Sequence, residues 1–225
     1  MKIEPIAFFR SPFTSKFGIP RQSGIVSSLR GTIEFAPSYR NTEALRGLEE
    51  YDFLWLIWGF SENAEAEKHP TVRPPLLGGN KRMGVWATRS PFRPNNLGLS
   101  SVRIVNIDFS KPSIDVVGAD LMDGTPIFDI KPYLAYVDSH PEARGGFTEH
   151  TSWQRLQVDI PSELSKLFSD PDLQTLREVL SLDPRPHYHD DEMREYVMPF
   201  MGYDISFRVI RNVLYVIRCT RVSAV

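Results

Sequence analysis

The chain is short of cysteine, of long apolar runs and of net charge, and each shortage removes a class of protein. A single cysteine, Cys219, among 225 residues forbids an intrachain disulfide. No unbroken apolar run reaches the roughly 18 residues of a membrane-spanning helix, and no apolar leader opens the chain, so the expected location is the cytoplasm. Net charge is only -2, too little for composition alone to demand a nucleic-acid partner. Tandem repeats and low-complexity tracts are absent. So are a G-x-G-x-x-G after a strand, a Walker loop, a nucleophile elbow and a zinc-spaced Cys/His set, which excludes the commonest nucleotide, hydrolase and zinc signatures. The stretch "HYHDDE" (His187 to Glu192) clusters metal-type ligands on one short loop without a second set, and no metal is expected.

What is present is a polarised distribution of charge. Residues 1 to 107 carry 14 Lys+Arg against 9 Asp+Glu, and residues 108 to 225 carry 12 against 19. Two segments of the first part have no acid at all: Pro5 to Ile33, with Arg10, Lys16, Arg21 and Arg30, and Lys68 to Ile107, with seven basic residues. Side by side, they would make an anion-binding face.

Short β-type runs bounded by Gly, Pro and Asn dominate the first part, the pattern of a barrel or sandwich. "SSLRGTIEF" reads as one strand, and "DFLWLIWGF" (Asp52 to Phe60) as a central strand covered on both faces. "MGVWAT", "LSSVRIVNID", "SIDVVGADL" and "PIFDI" supply four more, with Asp123-Gly124 as a hairpin turn between the last two. "NTEALRGLEEY" predicts a short helix capped by Asn41. Past about Glu142 the texture changes to two short helices, capped by Ser162 and Asp170, and a closing hairpin across Arg211-Asn212. The expected fold is therefore mainly β: an all-β domain over residues 1–155 and a small C-terminal α+β domain over residues 156–225.

Three stiff, polar loops are candidates for chemistry. In "RSPFRPNNLG", Pro91 and Pro94 restrict Arg89 and Arg93 before any ligand arrives, so less entropy is lost on binding. Arginine offers a planar donor fork suited to carboxylate or phosphate, and Asn95 can donate or accept. "KFGIPRQSG" has the same texture around Arg21 and Gln22. "DLMDGTPIFDIKPY" ends a strand in a tight turn, with Asp123 and Thr125 expected to be exposed and Asp129 and Lys131 on one side of an extended segment.

"KFGIPRQSG", "LRGLEEYDFLWLIWGF", "RMGVWATRSPFRPNNLG" and "DLMDGTPIFDIKPYL" together resemble the TsaA-like family over about residues 3 to 140. "VLSLDPRPHY" resembles the C-terminal extension of its bacterial members. The resemblance implies an S-adenosylmethionine-dependent methyltransferase on a single-sheet β-barrel domain, working as a homodimer with the cofactor near the subunit interface. The implied substrate is N6-threonylcarbamoyladenosine at position 37 of tRNA, methylated on N6. It assigns Pro20, Arg21, Gln22, Arg89, Leu99, Asp123, Gly124, Thr125 and Pro126 to the cofactor. Arg73, Lys81, Arg82, Arg93, Asn95 and Lys131 go to tRNA phosphates and substrate. Asp129, Tyr133 and Asp123 are the candidate proton acceptors, unless the N6–H is acidic enough to need none. Two departures stand out: Ser61 where relatives often carry histidine, and Asn95-Asn96 for the commoner Asn-Pro. On the residues alone, a non-enzymatic nucleotide- or RNA-binding module and a methyltransferase acting on a small molecule or protein stay open.

Overall fold

Residues 2–63, 67–150, 154–186 and 191–222 are described by a computed structural model, so His187 to Asp190 of the histidine-acid cluster lie outside the described residues. The first eight strands are β1 (Ala7–Arg10), β2 (Arg30–Phe35), β3 (Phe53–Gly59), β4 (Thr71–Val72), β5 (Met83–Gly84), β6 (Leu97–Asp108), β7 (Ser113–Val117) and β8 (Pro126–Pro132). Six of them close an antiparallel barrel in the order β1-β2-β7-β6-β3-β8, with Ala7 opposite Ile127 at the closure, and β4 and β5 form a separate ribbon. Alternation drives the closure: Ala7 and Phe9 of β1, and Leu54, Leu56 and Trp58 of β3, turn inward and are almost fully buried. Phe9, Leu54 and Leu56 each contribute about 1.5–3 kcal/mol by leaving water.

Several expectations need correcting. β3 is fully buried on its inner face only: on the outer face Trp55 and Ile57 are part-buried and Phe53 is 40% exposed. "MGVWAT" is not a strand: after the two residues of β5 the chain winds into a 3-10 turn, Val85–Ala87. The region from Asn41 forms two 3-10 turns, Thr42–Leu45 and Leu48–Glu50, although Asn41 does cap the first by accepting from the Glu43 N–H. β7 and β8 do not pair, so Asp123-Gly124 closes no hairpin and instead joins strands that lie apart in the barrel.

After the one-turn helix α1 (Ala135–Asp138), the C-terminal part comprises β9 (Gln157–Asp159), helices α2 (Ser162–Ser165) and α3 (Asp170–Ser181), and strands β10 (Tyr196–Phe200), β11 (Tyr203–Ile210) and β12 (Val213–Arg221). Its sheet runs β10-β11-β12-β9, with β9 parallel to β12 and the hairpin turning through Arg211 at φ +54°. Helix α3 buries Leu176, Val179 and Leu180 as its spacing predicts, but Ser169 rather than Asp170 is its cap, and Pro161 rather than Ser162 precedes α2.

The two cores do not follow chain order. Phe13, Val26 and Leu29, from the connection between β1 and β2, are buried among the C-terminal residues Leu176, Met198 and Phe207. Gly18 makes this docking possible: it sits at φ +91°, and a Cβ there would fall 2.1 Å from Met198 Sδ.

Candidate functional site

Strand direction puts the three candidate loops together. β1, β3 and β7 end at Arg10, Gly59 and Val117, and their antiparallel neighbours β2, β6 and β8 begin at Arg30, Leu97 and Pro126. Connections 11–29, 60–96 and 118–125 therefore all leave the same end of the barrel. Their contacts knit that end. Arg89 Nη1 donates to Gln22 Oε1 at 2.6 Å, joining the "PRQ" and "RSPFRPN" loops across 67 positions of sequence. Gly24 N–H donates to the Gly118 carbonyl at 2.8 Å, bringing in the third loop. Lys16 Nζ donates to the Glu62 carbonyl at 3.1 Å, beside Ser61 in an exposed turn at this same end.

The Asp123–Pro126 turn is stitched to the end of β1. Asp123 N–H donates to Phe13 O and Gly124 N–H to Phe9 O, both at 2.8 Å, while Asp123 Oδ1 accepts from the Ser11 N–H. Asp123 is part-exposed, but Thr125 is not exposed as expected: it is 3% accessible and its hydroxyl is spent on the Met122 carbonyl. Asn96 takes φ +49°, a backbone closed to proline, and its amide donates to the Asn63 carbonyl. Asn95 is exposed beside it.

Arg93 serves its own loop, donating from Nη1 to the carbonyls of Thr88 (2.8 Å) and Val85 (3.4 Å) with its guanidinium over the Trp86 ring. Arg21 reaches the Asp183 carbonyl at 3.5 Å; burial lowers its pKa, and the nearby Asp183 carboxylate opposes that shift. Pro20, the preceding residue, is buried. Arg10 is no free cation either, because its Nε lies 2.9 Å from Glu34 and Nη1 3.8 Å from Asp123. Arg73, Lys81, Arg82, Arg89 and Arg93 form no salt bridge with any described residue.

The structure adds a residue the sequence reading missed. Asp120 Oδ1 accepts from Ser100 Oγ at 2.6 Å, and that hydroxyl accepts from Trp58 Nε1 at 3.0 Å, a relay running from the barrel interior to the loop end. Burial pushes the Asp120 carboxyl up, while Ser100, Arg89 and the Ser23 N–H hold it down. Its only signal in the sequence is an acid directly after the strand run "VVGA".

The remaining candidates lie on the outer wall of the barrel. Leu99 and Asp129 flank Ile57 on neighbouring strands, and Asp129 is paired with Lys131 at 3.0 Å, on the same side as expected. Tyr133 packs on Trp55 and Phe53 at the opposite end from the loops. This wall exposes Phe53, Leu99 (57%), Val137 and Tyr136. Among the described residues no three His, Cys, Asp or Glu side chains gather to hold a metal ion, and no helix is long and apolar enough to cross a membrane.

Fold and site define a class: a closed antiparallel barrel, with an appended α+β unit, that collects an arginine-rich, proline-braced site at one end. Residues 8–139 match the tRNA-methyltransferase O N-terminal domain and residues 153–222 the TrmO C-terminal domain. The chain belongs to the tRNA-methyltransferase O family. It is 38% identical over 218 residues to the tRNA (adenine(37)-N6)-methyltransferase of Escherichia coli (strain K12), covering 92% of this chain and 93% of that one. It is 36% identical over 216 residues to a putative S-adenosylmethionine-dependent methyltransferase, RcsF, of Pseudomonas aeruginosa, covering 93% of each. The crystal structure of TrmO from Pseudomonas aeruginosa superposes with a TM-score of 0.80 at 29% identity, covering 98% of both chains.

Proposed function

We propose that this chain transfers a methyl group from S-adenosylmethionine to N6 of N6-threonylcarbamoyladenosine at position 37 of tRNA, as a cytoplasmic homodimer. The Gln22–Arg89 hydrogen bond carries the reading, because it unites at one barrel end the two loops that the family resemblance assigns to the cofactor. The groups there fit that cofactor: Arg89 for a carboxylate and Gln22 with the part-exposed Asp123 for polar edges, while Gly124, Thr125 and Pro126 shape the turn beside them and Pro20 and Arg21 belong to the same loop as Gln22. Bound there, S-adenosylmethionine supplies an electrophilic methyl on a sulfonium, and its departure leaves a neutral thioether.

The residues of the chain have then to orient the adenine nitrogen in line with that methyl and accommodate one released proton. Orientation can account for roughly 7–11 kcal/mol of such a barrier. The relay from Trp58 through Ser100 to Asp120 holds the loop end rigid, and Arg93 stiffens the neighbouring loop from within. Of the proton acceptors, Asp129 is tied to Lys131 and Asp123 to Ser11 and Arg10, and Tyr133 stands at the far end, which favours release of the N6 proton without a dedicated base. Arg73, Lys81, Arg82, Asn95 and Lys131 offer exposed contacts for tRNA. The exposed apolar outer wall around Leu99 supports a homodimer, in which Leu99 would face the cofactor from the interface. The two cores support division into a barrel domain (1–155) and a C-terminal domain (156–225), with residues 13–29 docked onto the latter.

The test is incubation of the purified protein with methyl-labelled S-adenosylmethionine and total tRNA, followed by mass spectrometry of the nucleosides. Label on threonylcarbamoyladenosine alone is expected. Label on another nucleoside would move the substrate, and binding of tRNA with no transfer would make the chain a binding module.

A further inference from the structure

We infer that the indole of Trp86 is a stacking platform for an unpaired base of the bound tRNA; the inference rests on the tRNA reading above. Trp86 stands at the centre of the Val85–Ala87 turn and is 70% exposed, while its neighbour Val85 is only 3% exposed and anchors the turn in the protein. A single exposed aromatic is ordinary on a protein surface. This one differs in being braced.

Arg93 supplies the brace. Its Nη1 donates to the carbonyls of Val85 and Thr88, which bracket the tryptophan, and its Cζ lies over the indole, 5.4 Å from the ring centroid. The Thr88 hydroxyl closes the same turn on the Val85 carbonyl at 2.9 Å. The backbone that carries the indole is therefore held on both sides, with a cation over the ring and enough free surface to receive a second planar group.

Charge selects that group. From Lys68 to Ile107 the chain has seven basic residues and no acid, and Lys81, Arg82 and Arg89 flank the turn without a salt bridge to any described residue. A flat ring on a cationic rim is the arrangement that receives a nucleobase while its phosphates meet the surrounding charges. The reaction gives the stack a purpose. An exocyclic nitrogen is reached by taking its base out of the stack, and a preset indole replaces stacking that a neighbouring loop base loses.

The test uses the full-length protein with Trp86→Leu and Trp86→Phe, measuring affinity for purified tRNA across a salt series. S-adenosylmethionine affinity by calorimetry and molar mass by light scattering run alongside. Trp86→Leu should weaken tRNA binding about tenfold, and Trp86→Phe should keep most of the affinity. The salt slope should equal that of the unaltered protein, since stacking releases no counterions. Cofactor affinity and molar mass should not move. Binding by the leucine variant within about twofold of the unaltered protein, while that protein methylates tRNA, would overturn the platform. Loss of self-association in the leucine variant would also overturn it, by assigning the indole to a second copy of the chain. An unaltered protein that neither binds nor methylates tRNA would instead fail the functional reading, and the platform with it.

Discussion

Replacing Ser100 with alanine tests the relay that links the barrel interior to the loop end. The hydroxyl is 1% exposed, accepts from Trp58 Nε1 at 3.0 Å and donates to Asp120 Oδ1 at 2.6 Å. Its removal leaves the indole N–H without a partner and takes one donor from a carboxylate. Orphaning a buried donor costs about 1–3 kcal/mol, and losing a charge-assisted hydrogen bond adds a similar amount, so the expected loss is about 2–6 kcal/mol. For a chain of this size that is a fall in Tm of roughly 4–24 °C. The loss should also depend on pH. Burial raises the Asp120 carboxyl in the folded state, so ionising it costs the fold stability. That cost is absent below the unfolded carboxyl value of about 3.9 and complete above the raised folded one. Ser100 stabilises the ionised form, so its loss raises the folded value further, and the deficit of Ser100→Ala should grow as pH rises from the acid range to neutrality. Thermal unfolding followed by circular dichroism at acid and neutral pH measures both. A deficit under about 1 kcal/mol, or one equal at both pH values, would refute the relay as a stabilising element.

At Gly98 a Cβ would lie 2.3 Å from the Trp58 ring, so Gly98→Ala should cost at least about 1–3 kcal/mol, much of it recovered in a Trp58→Leu background when both are melted as a double-mutant cycle. Arg89→Ala should abolish methyl transfer with Tm shifted by no more than roughly 2 °C, since its bond to Gln22 is exposed; a parallel fall in Tm and activity would make it structural. Arg93→Ala should instead expose its loop to limited proteolysis, and Arg93→Lys should not restore protection, because a single ammonium cannot at once reach the carbonyls of Val85 and Thr88 and sit over the Trp86 ring as the larger guanidinium does. Replacing Lys81 and Arg82 together with alanine should flatten the salt dependence of tRNA binding by about one to two units and leave cofactor affinity unchanged. Equal weakening of both ligands would place these residues in the cofactor pocket.

Local pattern alone made much of this protein legible. The strand in "SSLRGTIEF", the spacing of Leu176, Val179 and Leu180, and the closing hairpin across Arg211 are properties of a few consecutive residues, and each folds as read. The same holds for the stiffness of "RSPFRPN", which proline imposes wherever it stands. Tertiary structure decided which strands became neighbours, because pairing depends on partners distant in the chain. The Asp123-Gly124 turn therefore holds the end of β1 rather than a hairpin. It also decided what the charges meet. Arg10 looked unpaired in a segment with no acid, yet it meets Glu34, 24 positions away, and Asp123. Arg93 looked free for RNA, yet its Nη1 is held by two carbonyls of its own loop. Phe13, Val26 and Leu29, which fall within the stretch expected to form the all-β domain, serve the C-terminal core because their apolar surface is buried there. Periodicity is written in neighbouring residues, whereas the partner of a charge, a buried hydroxyl or a loop phenylalanine exists only once the chain has closed.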